Sequence, residues 1–151
     1  MISYLFFQRQ RTKHLLSGLA LLLCCWATPA WATCTVSTTS TNFGIYWGDV
    51  PLTSTGSIGV SCAPTVGNVQ VLLDAGQHTL GSFVIRKMQF GNSTLNYNLY
   101  ISPSHTTVWG DGTDGSVIQQ GQSFIVYGYM PAYQVVAAGT YTDLILVTIV
   151  W

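Results

Sequence analysis

Between residues 57 and 62 apolar and small polar positions alternate, with Ile58, Val60 and Cys62 against Ser57, Gly59 and Ser61. A period of two sends successive side chains to opposite faces of an extended chain, so this stretch reads as a strand with one buried face. Leu95, Tyr97, Leu99 and Ile101 repeat the pattern against Asn96, Asn98 and Tyr100. Residues 35–38, 69–73, 83–90, 124–129 and 142–151 are further strand candidates, with Gly, Asn, Asp or Pro between most of them. No window sustains a helical period. Roughly seven short strands in about 119 residues predict a single all-β domain, an immunoglobulin-like β-sandwich.

The last candidate differs from the others. Ile145, Val147, Ile149 and Trp151 share one face, and Leu144, Leu146 and Val150 share the other, so both faces are apolar. A two-sheet sandwich should leave one face of each strand wet. No later residue is there to pair with the outer edge of this strand. A long apolar edge without cover aggregates unless a partner occupies it.

The first 32 residues read as a separate segment. Arg9, Arg11, Lys13 and His14 precede an apolar run over residues 15–26 that leads into small residues, which is the layout of a secretory signal. Cleavage fits after Ala30 or after Ala32, and the second is preferred, which puts the mature domain at residues 33–151. The run is shorter than the ~20 residues a spanning helix needs. Removing it changes the charge: Arg86 and Lys87 remain against five aspartates, a net charge of about −3, with no glutamate. One Arg-Lys pair supplies no basic groove, so nucleic-acid binding is set aside. Cys24 and Cys25 leave with the segment, and in an exported protein Cys34 and Cys62 most simply form one disulfide.

Several segments, in order, resemble the spore coat protein U domain, the fold of archaic chaperone-usher pilus subunits. They are Cys34-Thr35-Val36-Ser37, Phe43-Gly44-Ile45-Tyr46, Ser61-Cys62, Val71-Leu72-Leu73-Asp74-Ala75-Gly76, Arg86-Lys87-Met88, Leu95-Asn96-Tyr97-Asn98-Leu99-Tyr100, Trp109-Gly110-Asp111-Gly112-Thr113, Tyr127-Gly128 and Ala138-Gly139-Thr140-Tyr141-Thr142-Asp143. The resemblance implies a sandwich lacking its final strand, kept soluble by a periplasmic chaperone, handed to an outer-membrane usher, and completed by a strand from a neighbouring pilus subunit. It implies a groove beside Leu144, Ile145, Leu146, Val147, Ile149 and Trp151, and a cell-surface, fimbrial destination with a part in adhesion and biofilm. Pilins that donate a strand carry an extension before the first cysteine, whereas cleavage after Ala32 leaves only Thr33 there. The chain is therefore expected to accept a strand without giving one, at a fibre tip or as an adaptor. Leu144 and Leu146 stand where the family more often has polar residues, which leaves room for a second contact surface.

Motifs for chemistry are weak by comparison. Residues 110–115 match G-x-G-x-x-G, but Ser116-Val117-Ile118 follows where a helix is required, so the stretch reads as a Gly- and Asp-rich turn. Its two aspartates offer too few ligands for a calcium loop. His78 and His105 with the two cysteines lack zinc-ligand spacing. No G-x-S-x-G elbow is present, and no catalytic activity and no small-molecule cofactor are expected. Trp47, Trp109, Trp151, Tyr46, Tyr127, Tyr129 and Tyr133 are read mainly as packing residues rather than a sugar-binding or surface-binding face. Tyr129-Met130-Pro131 is kept as an exposed loop, and Asn92-Ser93-Thr94 is a glycosylation sequon. The alternative to a fibre subunit is a self-contained secreted sandwich that binds or coats a surface without polymerising.

Overall fold

The computed structural model describes residues 2–6 and 32–151. The apolar run over residues 15–26 and the site after Ala30 lie outside the described residues. Nine strands are described: β1 (Ile2–Phe6), β2 (Thr33–Thr39), β3 (Leu52–Ala63), β4 (Gln70–Leu73), β5 (Arg86–Phe90), β6 (Ser93–Tyr100), β7 (Gln119–Gln120), β8 (Ser123–Met130) and β9 (Asp143–Val150). There is no helix among the described residues.

The strands form a four-stranded sheet in the order β1-β9-β4-β7 and a five-stranded sheet in the order β2-β3-β8-β6-β5. Between them lies the core that the period of two calls for. Val71, Leu73, Ile145, Val147 and Ile149 come from the first sheet, and Ile58, Val60, Met88, Leu95, Tyr97, Leu99, Phe124 and Val126 from the second. Each buried Val, Leu or Ile contributes about 1.5–3 kcal/mol over its exposed state. The sandwich fold class read from the sequence is therefore the observed one.

At the far end of the five-stranded sheet β2 pairs with β3 in antiparallel register, Cys34 opposite Cys62, and the two cysteines are joined. Trp109 is fully buried and its indole N–H donates to the Val71 carbonyl at 3.0 Å, tying the two sheets together. Phe43 lies across Gly128, where a Cβ would stand 2.7 Å from the ring, which is why β8 carries a glycine there.

Two expectations are corrected. The strand read at residues 83–90 begins only at Arg86, because the Asn98 side chain donates to the carbonyls of Phe83 and Val84 and takes their place in the ladder. Tyr129 and Met130 are not a loop: they close β8, and Met130 is buried in the core. β7 went unread because two glutamines show no alternation. The outer edge of β9 pairs with β1, which comes from the residues read as a leader and not from residues 33–151.

Candidate functional site

β9 is the strand on which the site is built. On one side it runs antiparallel to β4, with Gln70 opposite Val150 and Leu73 opposite Val147. Beyond β4 the same side is held by single contacts: the Asp74 N–H donates to the Leu146 carbonyl at 3.0 Å, and Gln89 and Thr142 exchange backbone bonds at 2.9 and 3.2 Å. On its other side β9 pairs in parallel with β1, from Ile2 opposite Asp143 to Phe6 opposite Val147. That side of residues 143–147 therefore takes an added strand in a defined register.

The side chains of β9 divide as the alternation requires. Ile145, Val147 and Ile149 are buried between the sheets, while Leu144 and Val150 are half-buried and Leu146 is exposed. Trp151 is half-buried and packs against the core. Of the six residues singled out on this strand, three thus hold the core and Leu146 faces solvent.

The N-terminal end of β9 is fixed by a buried polar cluster. The Tyr97 hydroxyl donates to Asp143 Oδ2 at 2.7 Å, and the backbone N–H groups of Gln77 and Leu144 donate to Oδ1 at 3.0 and 2.9 Å. His78 Nε2 stands 4.0 Å from the same oxygen. Burial pushes the Asp143 carboxyl above its ordinary value, against the opposing pull of the Tyr97, Gln77 and Leu144 bonds and of His78. Gly76 sits at φ 84° against this carboxylate, in the left-handed region and with no room for a Cβ.

A second cluster holds the turn after β4. Arg86 is fully buried: Nε and Nη2 donate to the Asp74 carbonyl at 3.1 and 2.7 Å, Nη2 to the Trp109 carbonyl at 2.8 Å, and Nη1 to Asn98 Oδ1 at 2.8 Å. Its guanidinium lies 5.2 Å from the Phe83 ring centre. Asp74 Oδ1 in turn accepts from the Leu146 N–H at 3.0 Å. Arg86 thus braces the residue that braces β9. This role was missed in the sequence, where Arg86 and Lys87 stand as a charged pair directly after the apolar run Phe83, Val84 and Ile85.

A cavity of about 650 Å³ opens between the five-stranded sheet and two loops. Met88, Leu95 and Met130 line it, with residues 42–47 on one wall and 136–141 on the other.

The remaining sequence candidates fall elsewhere. Residues 110–115 form a turn, with Asp111 Oδ1 accepting from both the N–H and the hydroxyl of Thr113, and Val117 returns to bridge Trp109. His105 lies against the rings of Tyr100 and Tyr129 at 5.3 and 5.2 Å, far in sequence from His78 beside Asp143. No group of three or more metal-ligating side chains occurs among the described residues.

Comparison with known families is decisive: the family model of the Spore Coat Protein U domain matches residues 22–148. The chain belongs to this family. Among solved structures, this Spore Coat Protein U domain resembles a chain of the chaperone–tip adhesion subunit pre-assembly complex from the archaic chaperone-usher Csu pili of Acinetobacter baumannii. The TM-score is 0.54 at 20% identity, over 79% of this chain and 39% of that one. It therefore spans well under half the length of that relative. The minor tip subunit of the E. coli Hda pilus is a further match, at a TM-score of 0.41 and 19% identity over 77% of this chain and 80% of that one. No characterised protein matches the sequence. The Spore Coat Protein U domain thus has the two-sheet fold seen in a pilus-subunit assembly, with a strand-pairing edge at β9.

Proposed function

We propose that this protein is a non-catalytic structural or adhesive subunit of an extracellular chaperone-usher pilus, and that it accepts a strand from a neighbouring subunit along β9. The observation that carries this reading is the parallel pairing of Ile2–Phe6 with Asp143–Val147. Strand addition to a sheet edge uses main-chain hydrogen bonds for affinity and alternate side chains for specificity. Family membership and the likeness in fold support the same reading.

In this account residues 1–32 are a secretory leader, the mature domain is residues 33–151, and removal of the leader takes β1 away from the edge. The edge then passes to a periplasmic chaperone, and through an outer-membrane usher to the next subunit at the cell surface. With β2 opening at Thr33, cleavage after Ala32 leaves no segment long enough to lend a strand onward, since a strand takes about 6 residues at ~3.3 Å each. The subunit accordingly belongs at a fibre tip or acts as an adaptor.

The test is export to the periplasm with and without the chaperone of the same assembly system, followed by size exclusion. The expected result is aggregation or loss of the chain alone, and a soluble one-to-one complex when the chaperone is present. A stable monomer indifferent to the chaperone contradicts the proposal and leaves the self-contained secreted binding protein.

A further inference from the structure

The five-stranded sheet buries one face against the core, and its other face is open. In β8 Phe124, Val126 and Met130 belong to the core, so the alternation sends Tyr127 and Tyr129 to the outer face, where both are half-buried. In β3 the exposed Thr55 and Thr53 stand opposite Tyr127 and Tyr129. On the other side of β8, Tyr100 of β6 stands opposite Tyr127. Residues directly opposite one another share a face, so Thr55, Tyr127 and Tyr100 form one row across three strands and Thr53 and Tyr129 the next. The loop after β6 borders these rows. His105 lies against the Tyr100 and Tyr129 rings, at 5.3 and 5.2 Å between ring centres. It is held at φ 52°, a left-handed conformation that few non-glycine residues adopt, and its N–H donates to the Ser102 carbonyl at 3.2 Å. In the same loop the hydroxyls of Ser102, Ser104 and Thr106 are chained at 2.8 and 3.1 Å. An aromatic floor with a fixed imidazole at its side therefore lies between rows of hydroxyls.

The chemistry of this floor says what it takes. β2, β3, β6 and β8 carry no Asp, Glu, Lys or Arg, and the charges of the sheet, the buried Arg86 and Lys87, both lie on its margin strand β5. A phosphate or an acidic polymer finds no cation here, so the matching ligand is uncharged. Among the described residues the hydroxyls of Thr53, Thr55, Tyr100, Tyr127 and Tyr129 make no hydrogen bond within the protein. A hydroxyl both donates and accepts, and burying it without a partner is costly. A polyol answers each of these groups with another of the same kind, which an apolar protein surface or a lipid chain does not do. The tyrosine rings supply the rest, a flat apolar face beside a polar tip at low cost in ordering. Ring faces for C–H bonds and hydroxyls for O–H bonds match the two sides of a sugar ring.

We propose that the outer face of the five-stranded sheet, centred on Tyr127, binds an uncharged glycan, its sugar rings laid on Tyr127 and Tyr129 beside His105 and its hydroxyls met by Thr53 and Thr55. This gives the adhesive role named above a class of ligand, and it rests on that reading for the role alone. The face belongs to the sheet that does not contain β9, so the site can fail while strand acceptance stands.

The test takes the full chain, exported and purified in its soluble form, alone or with its chaperone and with the chaperone by itself as the blank. It is applied to an array of neutral oligosaccharides of glucose, galactose, mannose and N-acetylglucosamine, with sialylated and sulfated counterparts. The strongest neutral binder is then titrated by calorimetry against the natural protein and three variants: Tyr127→Ala, Thr55→Val, which keeps the shape of the side chain, and Leu80→Ala, at an exposed position in the loop after β4 of the other sheet. The expected result is saturable binding of a neutral glycan, weakened at least tenfold by Tyr127→Ala and at least threefold by Thr55→Val, and unchanged by Leu80→Ala. Absence of any neutral binder, preference for the charged counterparts, or binding that survives both Tyr127→Ala and Thr55→Val overturns the site. Loss of fibre assembly in Tyr127→Ala with no glycan bound by the natural protein marks the face as a protein contact and overturns it equally.

Discussion

The Tyr97 hydroxyl in the five-stranded sheet donates to the Asp143 carboxylate at the start of β9, 2.7 Å across the sandwich. This bond joins the two sheets where β9 enters, and it fixes the register of the strand that carries the site. Asp143 has the added burden of being buried, which favours its neutral form.

From that burial follows a dependence of stability on acidity. The folded protein holds the Asp143 proton more tightly than the unfolded chain does, because the folded-state value is raised. The contribution of this group is therefore present below the ordinary carboxylate value of about 4 and is lost as pH rises from there through the raised value. Asp143→Asn keeps an acceptor for the Gln77 and Leu144 N–H groups and lets the Tyr97 hydroxyl turn to accept. Urea midpoints between about pH 3 and 7 should fall with pH in the natural protein. They should fall less steeply in the variant.

Arg86→Met removes the donors that serve the carbonyls of Asp74 and Trp109 and the Asn98 side chain. Each buried acceptor left unpaired costs about 1–3 kcal/mol, so the expected loss is on the order of 3 kcal/mol by urea unfolding. Because Asp74 also holds Leu146, hydrogen exchange in β9 should rise with the loss.

Much of this fold is legible in the sequence, and what is not has a physical reason. The alternations around Ile58 in β3 and around Tyr97 in β6 mark strands that bury one face, and the structure buries Ile58, Leu95, Tyr97 and Leu99. The apolar inner face of β9 is equally plain in Ile145, Val147 and Ile149. Arg86 was hidden because hydrophobic periodicity carries no information on a guanidinium that solvates itself with carbonyls from distant turns. Trp47 and Tyr133 were hidden for the opposite reason. Aromatic residues in a β-rich chain are most often packing residues, as Trp109 is, and only the bonds made by Tyr46 and Gln134 show that their loops face outward.

Gly76→Ala forces a Cβ against the Asp143 carboxylate at a φ of 84°. The variant should lose roughly 1–3 kcal/mol from backbone strain, and more from displacing the carboxylate. Comparing its urea midpoint with that of Gly67→Ala, where a Cβ meets open space, separates this effect from a general glycine effect.

Replacing both Cys34 and Cys62 by serine opens a loop whose ends are 28 residues apart in sequence. Chain entropy assigns such a closure about 3.5 kcal/mol, a large share of the stability of one domain. A marked drop in periplasmic yield and in the urea midpoint is expected, with the chaperone-bound form affected least.

The account turns on whether β9 closes its own edge or borrows a strand. Amide hydrogen exchange over residues 143–147 in the mature chain, measured in isolation and in assembled fibres, decides between them. Fast exchange in isolation and strong protection in the fibre is the predicted result, whereas equal protection in both would show that the sandwich is complete by itself and contradict strand acceptance.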